Sequence, residues 1–213
     1  MRSAWKFEAG PSSRYKIGSM RSPLSPHIHA SCLLAILVMP PVSQAAELAQ
    51  NRDPDSGLVS WKRVDRGFSL ELIQLLPDYV KALYSSRGLP PAVVESIGNY
   101  CVFGTVAQNL SGGTLSYRVA DWRYVTPDGK THPLKTKTEW LAEWKKLGSD
   151  FGWSILPAAM TFDTGDWAQG FTTVRLPPGS HFELIYSWRH HGKHYSGKFE
   201  NLVCAPEQPP TAP

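Results

Sequence analysis

The sequence predicts a mainly β fold: an antiparallel β-sandwich with an N-terminal α-helical appendage and one inserted helix. Three observations predict it. From Tyr100 onward, apolar residues alternate with others at the period of half-buried strands. Gly- and Pro-rich turns break the alternation at short, regular intervals, as in sandwiches. Only one stretch after Tyr100, around Thr136–Gly148, carries a helical stripe, whereas two Pro-started helical stretches precede it.

Charge narrows the function classes. The 213 residues hold 22 Lys and Arg against 18 Asp and Glu, a formal +4. Residues 1–45 contain five bases (Arg2, Lys6, Arg14, Lys16, Arg21) and one acid (Glu8), which accounts for the whole excess. The remainder is balanced at 17 of each. A nucleic-acid partner is therefore not expected, because binding phosphates requires a basic surplus. A polybasic membrane patch is equally unsupported. Hydrophobic residues at 42% and aromatics at 11% exclude a disordered chain.

Residues 1–45 read as a signal peptide. Ala30–Met39 (ASCLLAILVM) is an apolar run of ten, too short for a span of roughly 20 residues but right for the core of a signal peptide. Pro40-Pro41 ends any helix, and Ser43-Gln44-Ala45 supplies small residues for cleavage after Ala45, with Ala46 as the second choice. Met20 makes a more ordinary start, so residues 1–19 read as a start-site artefact. The expected product is exported to the periplasm or beyond, and does not span the membrane once cleaved.

Residues 46–98 read as a polar lead-in followed by the helical appendage. Residues 47–60 (ELAQNRDPDSGLVS) are expected to be mobile. Phe68–Leu76 fits strand and helix alike. Pro77 opens a helix through about Ser86, which Gly88 closes; Tyr79 and Leu83 mark its apolar face, with Val80 and Tyr84 less clearly placed. Pro90-Pro91 opens a second helix over Ala92–Ile97.

Residues 99–205 form the sandwich. Cys101, Phe103, Thr105 and Ala107 alternate in the first strand, and Ser111-Gly112-Gly113-Thr114 turns it. The stretch 115–125 then reads as one strand, with Leu115, Tyr117 and Val119 on one face and Ala120, Trp122 and Tyr124 on the other. Pro127-Asp128-Gly129-Lys130 is a turn. Thr136-x-x-Glu139 is a capping box, and Trp140, Leu141, Trp144 and Leu147 form the stripe of the inserted helix, with Glu143 and Lys146 as an i,i+3 pair. Further strands are expected at 151–156, 167–175, 182–189 and 194–203. Residues 206–213 (PEQPPTAP) read as a disordered tail.

Removal of Cys32 with the signal peptide leaves Cys101 and Cys204, an even pair in an oxidising compartment, and a disulfide is expected. Closing a loop of about 100 residues is worth about 4.7 kcal/mol in the chain-entropy picture. A bridge between the first and last strands of the β region resembles the immunoglobulin-like arrangement. The likeness is architectural and implies no function.

Three groups of residues are candidates for chemistry. His190, His191 and His194 cluster around a tight turn, with His181 one strand earlier; exported proteins use such imidazoles to hold copper or zinc. Adjacent His190 and His191 point to opposite faces of a regular strand, so at most a His190/His194 pair with distant His181 is expected, and a wet hairpin tip is the plainer reading. Among the tryptophans, Trp122, Trp140, Trp144 and Trp188 are assigned to the core. Trp153 and Trp167 are the candidates for stacking on a ligand or anchoring a partner. Asp163 and Asp166 flank a turn and could serve hydrolysis or Ca²⁺ binding, but turn-building is the commoner role of such residues. Asn109-Leu110-Ser111 matches the glycosylation sequon. No catalytic elbow, zinc-protease motif or phosphate loop occurs.

The function expected is that of an exported, non-enzymatic β-sandwich module binding an envelope protein or ligand. The alternative is an envelope metal-binding or metal-delivery protein using the histidine cluster, and a weaker one is an exported hydrolase.

Overall fold

The computed structural model describes residues 47–209, which belong to one unit, Val42–Pro213. The expected signal peptide and the end of the expected tail lie outside the described residues. The described residues are mainly β, with two antiparallel sheets and three α-helices.

The first sheet contains β1 (Glu47–Arg52), β2 (Val59–Asp65), β3 (Phe68–Gln74), β4 (Cys101–Asn109) and β9 (Trp167–Val174), neighbours in that order. The second runs β7 (Thr131–Pro133), β6 (Arg123–Val125), β10 (His181–His190), β5 (Leu115–Arg118), β8 (Ala159–Phe162), with β11 (Lys193–Val203) also paired to β10. This order is a four-strand meander extended by β9, which departs from the ABED and CFG orders of immunoglobulin domains.

The lead-in expected to be mobile is strand β1 and the start of β2. The sequence hid β1 because its side chains from Leu48 to Arg52 all face solvent, so no apolar alternation marks it; backbone pairing with β2 makes it a strand. The helices consequently do not precede the β fold. Helices α1 (Pro77–Ser86) and α2 (Pro91–Gly98) lie between β3 and β4, which are themselves paired.

The two sheets enclose one core. Phe68 of β3 lies against Tyr117, Tyr186 and Trp188 of the second sheet, with centroid separations of 5.2–6.3 Å. Phe103 meets Phe182 at 5.7 Å. Buried Gln74 ties the layers by accepting from the Val59 amide and donating to the Val203 carbonyl, both at 2.8 Å. The Cys101–Cys204 disulfide joins the start of β4 to the residue after β11, with Cα atoms 5.5 Å apart.

The strand expected over 115–125 is broken by one 3₁₀ turn at Val119–Asp121. The turn changes the phase of the alternation, so that Leu115, Tyr117, Val119, Trp122 and Tyr124 are all buried instead of lying on opposite faces. The expected strand at 151–156 is only a parallel bridge between Ile155 and Phe171. Strands β7 and β8 were not anticipated, being short and mostly polar or exposed.

A second core lies on the outer face of the first sheet, under α1, α2 and α3 (Lys137–Lys146). Val80 and Tyr84, not Tyr79, mark the buried side of α1. The capping box of α3 forms, with the Thr136 hydroxyl accepting from the Glu139 amide. Glu143 pairs with Lys135 instead of Lys146. Trp140 donates to the Thr173 hydroxyl at 3.1 Å, and Trp144 to that of Ser96 at 2.9 Å. No helix among the described residues is long and apolar enough to cross a membrane.

Candidate functional site

Strand alternation decides what the first sheet shows to the outside. Phe68, Leu70 and Leu72 of β3 point into the sandwich, so Ser69, Glu71 and Ile73 point out. Pairing then puts Ser60, Ile73, Gly104 and Phe171 in one outward row, and Lys62, Glu71, Val106 and Gln169 in the next. A third row holds Ser69, Gln108 and Trp167. The helices cover this face only at its Val102 and Thr173 end, where Trp140 bonds to Thr173. The rest is open.

Trp153 and Trp167 border this open face. Trp153 stands beside Ile73, Leu83, Gly104, Val106 and Phe171 around a groove of about 250 Å³. It is 59% exposed. Its ring is held from two sides: the Arg87 guanidinium lies 5.1 Å from its centroid, and Phe151 meets it edge-on at 5.3 Å. Trp167 is 55% exposed and projects from the same face, since Ala168 beside it is buried inward. Four residues of strand, roughly 13 Å, separate Trp167 from Phe171 at the groove. Gly170 fixes the other wall. A Cβ there would lie 2.3 Å from the Leu156 nitrogen, so glycine lets residues 154–156 run against β9. Phe171 donates to the Ser154 carbonyl at 2.6 Å, and Leu156 donates to that of Phe171 at 3.0 Å. The alternation in β4 already placed Gly104 and Val106 opposite the core. What the sequence did not reveal was that Ile73 and Phe171 join them.

The histidines do not converge. Strands β10 and β11 are joined by a two-residue loop, His191-Gly192, with φ of 48° and 72°, the left-handed pair of a type I′ hairpin. Arg189 is paired with His194, which puts His194 on the outward face, while adjacent His190 points to the other. His181 is at the far end of β10, roughly 30 Å of strand away. Among the described residues, no three His, Cys, Asp or Glu come together as a metal ligand set. The His190/His194/His181 combination expected for copper or zinc is therefore not assembled. His191 instead turns back in its left-handed conformation, so that its ring lies 4.0 Å from that of His190, and both rest on Gly113. Burial of His190, and secondarily the neighbouring His191, hold the His190 imidazole below its ordinary pKa.

The carboxylates build turns. Asp166 accepts from the Asp163 amide at 3.0 Å, and Asp163 accepts from the Thr114 hydroxyl at 3.3 Å. The sequon is also spent on structure. Asn109 is fully buried and donates to the carbonyls of Gly113 and Phe162 while accepting from the amide and hydroxyl of Ser111. Its amide nitrogen is thus not free to carry a glycan in the folded protein. A cleft of about 470 Å³ beside the disulfide faces Asp78, Lys81, Arg175 and Glu207, whose charges balance.

No protein-family profile matches the chain, and no curated protein matches it. Among solved structures, it is similar to ycdA, a candidate lipoprotein of Bacillus subtilis subsp. subtilis strain 168, with 10% identity and a TM-score of 0.31. The match covers 74% of this chain and 35% of that one, so this chain spans about a third of its length.

Proposed function

We propose that the protein is an exported, non-enzymatic β-sandwich module that binds a partner protein or ligand in the cell envelope through the open outer face of its first sheet. The observation that carries this reading is the pair of exposed indoles, Trp153 and Trp167, on one face of one sheet. Contiguous exposed apolar surface marks interaction sites, and tryptophan is enriched where partners anchor. Apolar Ile73, Val106 and Phe171 line the groove at Trp153, and Glu71, Gln108 and Gln169 supply polar groups on the outward rows of the same sheet. Support for export is the ten-residue apolar run before Ser43-Gln44-Ala45, together with the Cys101–Cys204 bridge, which suits an oxidising compartment. No comparable observation favours the metal or hydrolase readings.

The test is photocrosslinking in living cells from position 106, in the middle of the face, with position 198 on the second sheet as control. A discrete crosslinked product from 106 alone, lost in Trp153→Ala/Trp167→Ala with the unfolding midpoint preserved, is the expected result. The same product from 198, or its persistence in the double variant, would contradict the reading.

A further inference from the structure

The outer face of the second sheet carries a different arrangement. Pairing puts Thr161 of β8, Ser116 of β5, Arg189 of β10 and His194 of β11 in one row across four strands. Arg118 and Ser187 lie one step along on the same face, around a cavity of about 360 Å³. Two guanidiniums on neighbouring strands that line one cavity are an arrangement that sheet stability does not favour, since like charges repel. The only carboxylate within 4.0 Å of these cations, among the described residues, is Asp121, 3.9 Å from Arg118. Arg189 has none.

The hydroxyls are equally uncommitted. Ser187 faces outward yet is only 7% exposed. Neither its side chain nor those of Ser116 and Thr161 bond to another described residue. Hydroxyls without a protein partner on the lining of a concave face are free to donate to an external ligand that supplies acceptors.

From this geometry we infer that the cavity is an anion site for a small phosphate-bearing ligand. Arg189 is its principal contact, Arg118 its second, and Ser116, Thr161 and Ser187 donate around them. The donors outnumber what a carboxylate's two oxygens accommodate well, whereas a phosphate offers three strongly accepting oxygens and suits bidentate guanidinium contact. A membrane surface fits less well. Recognition of anionic lipid uses clusters of roughly four to eight bases, and this site has two arginines in a concave pocket, on a chain with balanced charge after residue 45. The site is separate from the Trp153/Trp167 face and stands whether or not that face binds anything.

Calorimetric titration of the mature protein with inorganic phosphate tests the inference, with acetate and phosphatidylglycerol vesicles as separate arms. Saturable phosphate binding with Kd below about 10 mM, weakened at least tenfold in Arg189→Gln, is expected. Asp121→Asn, which removes the one opposing charge, is expected to tighten phosphate binding by about twofold or more, and it gives an independent reading if Arg189→Gln fails to fold. Absence of saturation, equal affinity in Arg189→Gln, or weaker binding in Asp121→Asn would overturn the site. Acetate binding tighter than phosphate would overturn the ligand class. Vesicle binding that phosphate does not displace would replace the small ligand with a lipid surface.

Discussion

Asn109 holds two turns and a strand together with one side chain. Its carboxamide makes four hydrogen bonds at 2.6–3.2 Å, to Gly113, to Phe162 and twice to Ser111. Asn109→Ala removes the acceptor of the buried Ser111 amide and one donor to the Phe162 carbonyl, while the Gly113 carbonyl keeps the Ser111 hydroxyl, so a loss of about 2–4 kcal/mol is expected in urea unfolding. His190 gives a pH signature instead. Its folded pKa lies below the unfolded value of about 6.5, so the unfolded chain binds the proton first as pH falls. Stability is therefore full above about pH 6.5 and declines as pH drops through that value toward the folded pKa. Urea midpoints measured from pH 8 to 5 are expected to fall less steeply in His190→Gln than in wild type. Parallel slopes would place the acid sensitivity elsewhere.

At the scale of elements, the segment 154–156 is what presents Trp153. It stays against β9 because Gly170 has no side chain, with the Leu156 backbone where a Cβ would be. Gly170→Ala is expected to push this segment off β9, to cost about 1–3 kcal/mol, and to speed amide exchange at Leu156 and Phe171 while β3 and β4 stay protected. The same elements show where sequence reading succeeds. Helix α3 was legible because its capping box and its Trp140 and Trp144 stripe are local signals, and β9 to β11 because each has a buried and a wet side. β1 was not legible, since an exposed edge strand owes its conformation to backbone pairing with β2, which leaves no mark on side-chain pattern. The exposure of Trp153 and Trp167 was readable as a possibility from their turn-rich surroundings. Their sharing of one face was not, because it follows from pairing β4 with β9, about sixty residues apart. At the histidine cluster the tight turn at Gly192 was legible, but the left-handed His191 that brings its ring beside His190 was not, while strand register sends His190 and His194 to opposite faces.

On the scale of the whole molecule, the sandwich is tied at one end by Cys101–Cys204, which spans 103 residues and joins the two sheets. Cys204→Ser is expected to lower stability by about 2–5 kcal/mol, read as a reduced unfolding midpoint, and dithiothreitol is expected to reproduce most of that loss in the wild type. The helices protect one end of the first sheet and leave the other end open, and the account turns on whether that opening is occupied in the cell. Oxidative footprinting of the tryptophans answers this without knowledge of the partner. In the purified protein, Trp153 and Trp167 are expected to oxidise readily and buried Trp140 and Trp144 slowly. In the intact cell envelope, the account predicts that Trp153 and Trp167 become severalfold less reactive while the buried pair is unchanged. Equal reactivity of Trp153 and Trp167 in the two settings would contradict it.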